Sequence, residues 1–253
     1  MAVFTKVEQM TVGIFESNAA LGRAAAHDFA EIVKQVAKEH GEVSVILATG
    51  NSQLSFMRAL REIHDIPWQH IRVFHMDEYL GMDETHTASF RRYLHEHITD
   101  IFHPIVTYGI EGDAEDVAAE ITRYEALMEE YPPVLCVMGI GENGHLAFND
   151  PPADFNSPKT MHVVDLDETC RNQQVGEGHF THIQQVPTQA LSLTVPALLN
   201  PKQVMVLVPE ARKAKIVKTS LEGPITEACP ASILRTQTHV KLYLDHESSA
   251  LLS

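Results

Sequence analysis

His145 stands in the stretch Gly139-Ile-Gly-Glu-Asn-Gly-His-Leu-Ala-Phe-Asn-Asp150, with Asn143 before it and Asp150 after it. An imidazole oriented through one ring nitrogen by a polar neighbour keeps the other nitrogen free to exchange protons with a substrate. The glycines at 139, 141 and 144 permit a sharp turn that would bring the ring and adjacent backbone amides to a cleft. The chain has 15 histidines, so one histidine in a capped turn would be unremarkable. The density of Gly, Asn, His and Asp directly after an apolar run, Val134–Met138, favours chemistry at this one.

Three further groups carry weaker signals. Asp77, in Phe74-His-Met-Asp-Glu-Tyr79, follows the apolar run Ile71–His75 and could act as general base toward a carbon-bound proton. Asp77 and Glu78 are adjacent at a strand end, so at most one faces a pocket. Alone, Asp77 reads more simply as a loop or helix cap. The loop Thr49-Gly50-Asn51-Ser52 joins the run Val43–Ala48 to a helical segment. Backbone N–H groups at a helix start, two hydroxyls and a glycine make an anion cradle, and a capped turn accounts for them equally well. Lys213 sits at the start of a helix, a poor place for a cation unless a ligand anion joins it; a solvated lysine is the simpler reading. Arg171, in an irregular stretch, is as readily a phosphate clamp as a surface arginine.

The elements that must position these groups follow from hydropathy patterning. Val43–Ala48, Ile71–His75, Val134–Met138 and Val204–Val208 are short continuous apolar runs, as expected of a parallel sheet covered on both faces. Helical spacing marks residues 18–39, 55–63, 89–98, 114–130 and 211–221 between them. Residues 151–189 show little periodicity apart from a short strand at 161–164, as expected of a lid or binding region. The reading is α/β: a Rossmann-like, mostly parallel sheet with helices on both faces. It forms a single domain over residues 1–253 with an irregular lid region.

Composition narrows the function classes. The formal net charge is −15, from 19 basic and 34 acidic residues, and no basic stripe is visible, which argues against nucleic acid as a partner. Any phosphate must then be held by a local positive site rather than by long-range steering. No apolar run approaches the length needed to cross a bilayer, and the first residues lack the pattern of a secretory signal, so no membrane association is expected. Cys136, Cys170 and Cys229 are widely spaced and lack zinc-site spacing, which fits a reducing cytoplasm with neither disulfides nor a metal.

Taken together, Leu47-x-Thr-Gly50, Met76-Asp-Glu-Tyr79, Gly139 to Pro151, Gln185-Val-Pro187 and Lys213 resemble the glucosamine-6-phosphate deaminase/isomerase family, whose fold is shared with 6-phosphogluconolactonases. The resemblance spans nearly the whole chain. It implies ring opening of a hexosamine 6-phosphate, proton transfer between C2 and C1, and release of ammonia to leave a ketose 6-phosphate, with no metal or redox cofactor. Glucosamine 6-phosphate is the expected substrate and galactosamine 6-phosphate the first alternative. A 6-phosphogluconolactonase and a non-catalytic sugar-phosphate sensor are the others. By the resemblance, His145 assists ring opening, Asp77 relays the proton, and Asn143 and Asp150 flank and orient His145. Thr49, Gly50, Asn51, Ser52 and Lys213 hold the phosphate, with Arg171 as a candidate. A homo-oligomer is allowed, and activation by N-acetylglucosamine 6-phosphate is not expected. Well-known members carry Asp and Glu where this chain has Asn143 and Asp150. The shorter Asp150 is expected to reach His145 only with a backbone shift.

Overall fold

The computed structural model describes residues 2–253. Its strands are β1 (Val3–Val7), β2 (Met10–Phe15), β3 (Val43–Leu47), β4 (Ile71–Phe74), β5 (Asp77–Tyr79), β6 (Val106–Tyr108), β7 (Leu135–Met138), β8 (Met161–Asp165), β9 (Gln189–Leu193), β10 (Gln203–Val208) and β11 (Val240–Asp245). Its helices are α1 (Asn18–His40), α2 (Leu54–Leu60), α3 (Phe90–Leu94), α4 (Asp100–Phe102), α5 (Val117–Glu130), α6 (Glu168–Gly176), α7 (Val195–Leu199) and α8 (Ala214–Glu222).

Eight strands form one sheet in the order β1-β2-β11-β10-β7-β3-β4-β6. The β1–β2 pair is antiparallel and the other pairings are parallel. The side-chain period of two assigns the two faces. Val45 and Leu47 of β3, with Leu135 and Val137 of β7, pack toward α1 and α2, where Phe29 and Phe56 meet them. Ile46, Cys136 and Met138 point the other way, into a core shared with Tyr124 of α5 and Val217 of α8. This is why the apolar runs lack alternation: both faces of the strands are covered. Ser17 caps α1 through its hydroxyl, which accepts from the Ala20 amide, a contact worth about 1 kcal/mol. Leu21, Ala25, Phe29 and Val33 form the buried stripe of that helix.

The structure redraws several expected elements. Asp77 does not end the strand begun at Ile71. β4 stops at Phe74, and Asp77–Tyr79 join a second, three-stranded antiparallel sheet, β5-β9-β8. Residues 151–189, expected to be irregular beyond one short strand, contain α6 as well. That helix is polar, with Cys170 and Gln174 as its buried residues, so it lacks the apolar stripe that reveals a helix in sequence. The helices expected at 55–63 and 211–221 open with tight 3-10 turns at Asn51–Gln53 and Ala211–Lys213. The helix expected over 89–98 gives way to a wider turn after Leu94.

Candidate active site

The carboxyl ends of β3, β7 and β10 open onto one cleft of about 630 Å3. It is lined by residues 48–52, Asp77, Gly139 to Gly141, His145, Arg212 and Lys213, with α6 and the residues after it as the opposite wall. Clefts at this end of a parallel sheet are where α/β proteins bind ligands.

The β7 loop places the histidine. The His145 ring packs directly over Gly141: a Cβ at that position would lie 2.1 Å from Nε2, so only glycine leaves room for the imidazole. Asp150 Oδ1 is 3.0 Å from His145 Nδ1. The turn through residues 146–149 brings the shorter carboxylate within reach of the ring. Burial alone would raise the Asp150 pKa, but its contacts with His145, Asn143 and the Asp167 amide outweigh that and lower it. An ionised Asp150 accepts the Nδ1 proton, leaving the Nε2 lone pair for a ligand.

Asn143 acts on the ring through its neighbours rather than by flanking it directly. Its Oδ1 accepts from the His145 amide (3.0 Å), and its Nδ2 donates to Asp150 Oδ1 (2.8 Å) and Asp167 Oδ2 (3.1 Å). An amide suits this position, because its nitrogen donates to both carboxylates while its oxygen accepts from the backbone. Asp150 Oδ2 in turn accepts from the Asp167 amide at 3.0 Å.

Asp77 and Glu78 point to opposite faces of β5, as adjacent strand residues must. Asp77 faces the cleft. Burial, with Glu78 nearby, holds its pKa well above the usual carboxylate range. Glu78 does the capping: its carboxylate accepts from Ser89 Oγ (2.9 Å) and from the amides of Phe90 (3.2 Å) and Arg91 (2.9 Å) at the start of α3.

At the β3 end, Gly50 has φ +107°, a conformation natural to glycine, and begins the tight turn carrying Asn51 and Ser52. Lys213 is buried rather than solvated and lines the same cleft as this loop. Burial, and then the neighbouring Arg212, push its pKa down to about 8. Arg171 is not at the cleft. Its Nη2 donates to the carbonyls of Ile183 (2.7 Å) and Val186 (3.0 Å), so it ties α6 to the following loop and is not placed to hold a phosphate. The arginine at the cleft is Arg212, which sequence reasoning passed over although it adjoins Lys213. Gln173, Gln174, Glu177 and His179 were also missed. Asp167 could have pointed to them, as a helix-capping residue followed by Glu168 in the first turn.

The ligand-capable atoms of His145, Asp150 and Cys170 lie within 4.8 Å of one another. Internal contacts already occupy both Asp150 oxygens and His145 Nδ1. Burial keeps the Cys170 thiol protonated by raising its pKa. Cys136 and Cys229 are likewise buried and free. No helix among the described residues is long and apolar enough to cross a membrane.

Residues 16–244 match the family model of glucosamine-6-phosphate isomerases/6-phosphogluconolactonase. A glucosamine-6-phosphate deaminase of Exiguobacterium sibiricum is 33% identical over 224 residues, covering 88% of this chain and 87% of that protein. One from Oenococcus oeni is 32% identical, covering 96% and 99%. Among solved structures, a monomeric glucosamine-6-phosphate deaminase superposes with a TM-score of 0.86 at 30% identity, over 95% of this chain and 99% of that one. A 6-phosphogluconolactonase of Shewanella baltica gives 0.78 at 16% identity, over 95% and 100%, a likeness of fold alone.

Proposed function

The chain belongs to the family of glucosamine-6-phosphate isomerases and 6-phosphogluconolactonases, and from that premise we propose that it converts glucosamine 6-phosphate to fructose 6-phosphate and ammonia. One observation carries the reading. A carboxylate-oriented histidine and a buried aspartate share one cleft with a backbone anion loop and a buried lysine.

The geometry supports the following roles. Thr49 to Ser52 and Lys213 hold the 6-phosphate, through the backbone N–H groups of the loop and the buried ammonium. His145 Nε2 takes the proton of the anomeric hydroxyl and returns one to the ring oxygen, opening the pyranose to the aldehyde. The C2 proton is then acidic, being next to a carbonyl. Asp77 removes it while O1 takes up a proton, giving the enolamine; Asp77 then delivers its proton to C1 as the nitrogen gives up one, which restores the balance and leaves a C2 imine beside a C1 hydroxymethyl group. Water adds to that imine, and ammonia departs to give the ketose. Desolvation makes the Asp77 carboxylate a stronger base than one in water, which suits abstraction from carbon. Asp150 holds His145 in the required tautomer, and Asn143 holds Asp150. No step requires a metal or a redox cofactor.

The test is to incubate the protein with glucosamine 6-phosphate, galactosamine 6-phosphate and 6-phosphogluconolactone, measuring ammonia, ketose phosphate and acid. Ammonia from glucosamine 6-phosphate in preference to its C4 epimer is expected. Ammonia from neither amino sugar would remove the deaminase reading, and binding without turnover would indicate a sensor.

A further inference from the structure

The proposed phosphate subsite already contains an anion belonging to the chain. Glu177, just beyond α6, has a buried side chain and lines the cleft. Its Oε1 accepts from Arg212 Nη1 at 2.8 Å and from Gln173 Nε2 at 2.9 Å. Its Oε2 lies 3.6 Å from His179 Nε2 and would be 3.9 Å from a Cβ on Gly50. The Glu177 carbonyl accepts from Asn51 Nδ2 at 3.4 Å. The carboxylate therefore lies between the β3 loop and the cations that follow β10, where an incoming phosphate would come to rest.

Charge makes this arrangement consequential. Arg212 also meets Glu210 at 2.7 Å and Glu142 at 3.2 Å, so three carboxylates surround the Arg212–Lys213 pair. Burial would raise the Glu177 pKa, but the nearby His179 ring and the Arg212 hydrogen bond prevail and hold it at about 2. Glu177 is thus ionised at neutral pH. A dianionic phosphate entering beside it would meet a like charge at close range. Glycines flank it at 176 and 178, and a Cβ built at either position would meet nothing within 4 Å.

We propose that Glu177 is a specificity-determining internal anion, which holds Arg212 in the ligand-free protein and must be displaced by the substrate's phosphate before the cleft fills. This rests on the phosphate subsite proposed above. A phosphate offers more acceptor oxygens than a carboxylate, so it can take over Arg212 while also engaging Lys213 and the β3 loop. A sugar without a phosphate brings nothing that exchanges for Glu177 and is refused.

Glu177→Gln tests this with inorganic phosphate as the probe, its dissociation constant read by calorimetry. The KM for glucosamine 6-phosphate is the second readout. The variant is expected to bind phosphate about tenfold more tightly, equivalent to about 1.4 kcal/mol, and to lower KM in parallel. Structural damage would loosen the site, so tightening is not its signature. Unchanged or weaker phosphate binding overturns the proposal. Weaker amino-sugar binding with phosphate binding unchanged also overturns it and assigns Glu177 to the substrate's ammonium. If Glu177→Gln does not fold, Glu177→Asp, which draws the carboxylate back from Arg212, must show tightening of the same sign, and its absence is equally fatal. The phosphate measurement stands whether or not the wild type releases ammonia, so the two readings fail separately.

Discussion

The wall of the cleft formed by β3, β7 and β10 hangs from strands buried on both faces, whereas the wall formed by α6 is held largely by polar side chains. On the first wall, His145 and Lys213 follow strands whose backbone bonds and apolar packing continue deep into the core. On the second, Asn143 and Asp150 hold the start of α6, Arg171 holds its middle, and Arg212 holds the residue after its end. Segments with few buried apolar contacts open at lower free energy than core strands. Proton transfer needs fixed distances, and ligand entry needs contacts that can be exchanged. The two walls divide these demands.

Substitutions on the two walls should separate the same demands kinetically. The largest effect is expected beside the rigid wall, at Asp77 on the small sheet. Asp77→Asn should lower kcat by about 10²- to 10⁴-fold and abolish solvent-proton exchange at C2, leaving phosphate binding in place. Substantial exchange in that variant would take Asp77 out of the base role. Next is Gly141→Ala, whose Cβ would occupy the space of the imidazole. Displacing the ring should cost kcat about 10²-fold, with phosphate binding retained; near-normal turnover would mean that the ring position is not critical.

Lys213→Met removes a buried cation and should raise KM by roughly 10- to 100-fold, from a charge-assisted contact of about 1.5–3 kcal/mol. In the wild type, Lys213 is charged below its free-enzyme pKa of about 8 and neutral above it. Phosphate affinity should therefore fall as pH rises past about 8, and this loss should be absent in Lys213→Met. A flat profile in the wild type would show that the charge is not used. The smallest effect is expected at Asn143, where the walls meet. Asn143→Asp sets a third carboxylate against Asp150 and Asp167 and should destabilise the protein by about 1–3 kcal/mol, read as a lower Tm that acid partly restores. An unchanged Tm would mean that the amide is not the required bridge.

Legibility in the sequence follows the same division. β3, β4, β7 and β10 are readable because a stretch of four to six mostly apolar residues is too short for a helix and fits a strand covered on both faces. His145 is readable because its glycines and polar neighbours follow such a run. Asp77 was legible as a candidate, but its strand was not. Three residues are too short to show periodicity, and β5 exists through its pairing with Gln189–Leu193, far along the chain. The α6 wall was largely hidden. A polar helix leaves no hydrophobic signature, and the importance of Glu177 depends on Arg212, 35 residues later. Arg171 misled for the complementary reason: its type suggested a phosphate, whereas the acceptors it meets in space are two carbonyls of the loop that follows its helix.

The hydrogen bonds from Asn143 to both Asp150 and Asp167 have a consequence for anyone recombining this protein with its relatives. They make positions 143, 150 and 167 a unit of inheritance, although the chain spreads them over two segments. A chimera that imports the 167–180 segment without its matching residue at 143 would bring together donors and acceptors that do not correspond. The seam for such an exchange belongs before Gly139, so that the histidine loop and the helix it supports are transplanted together.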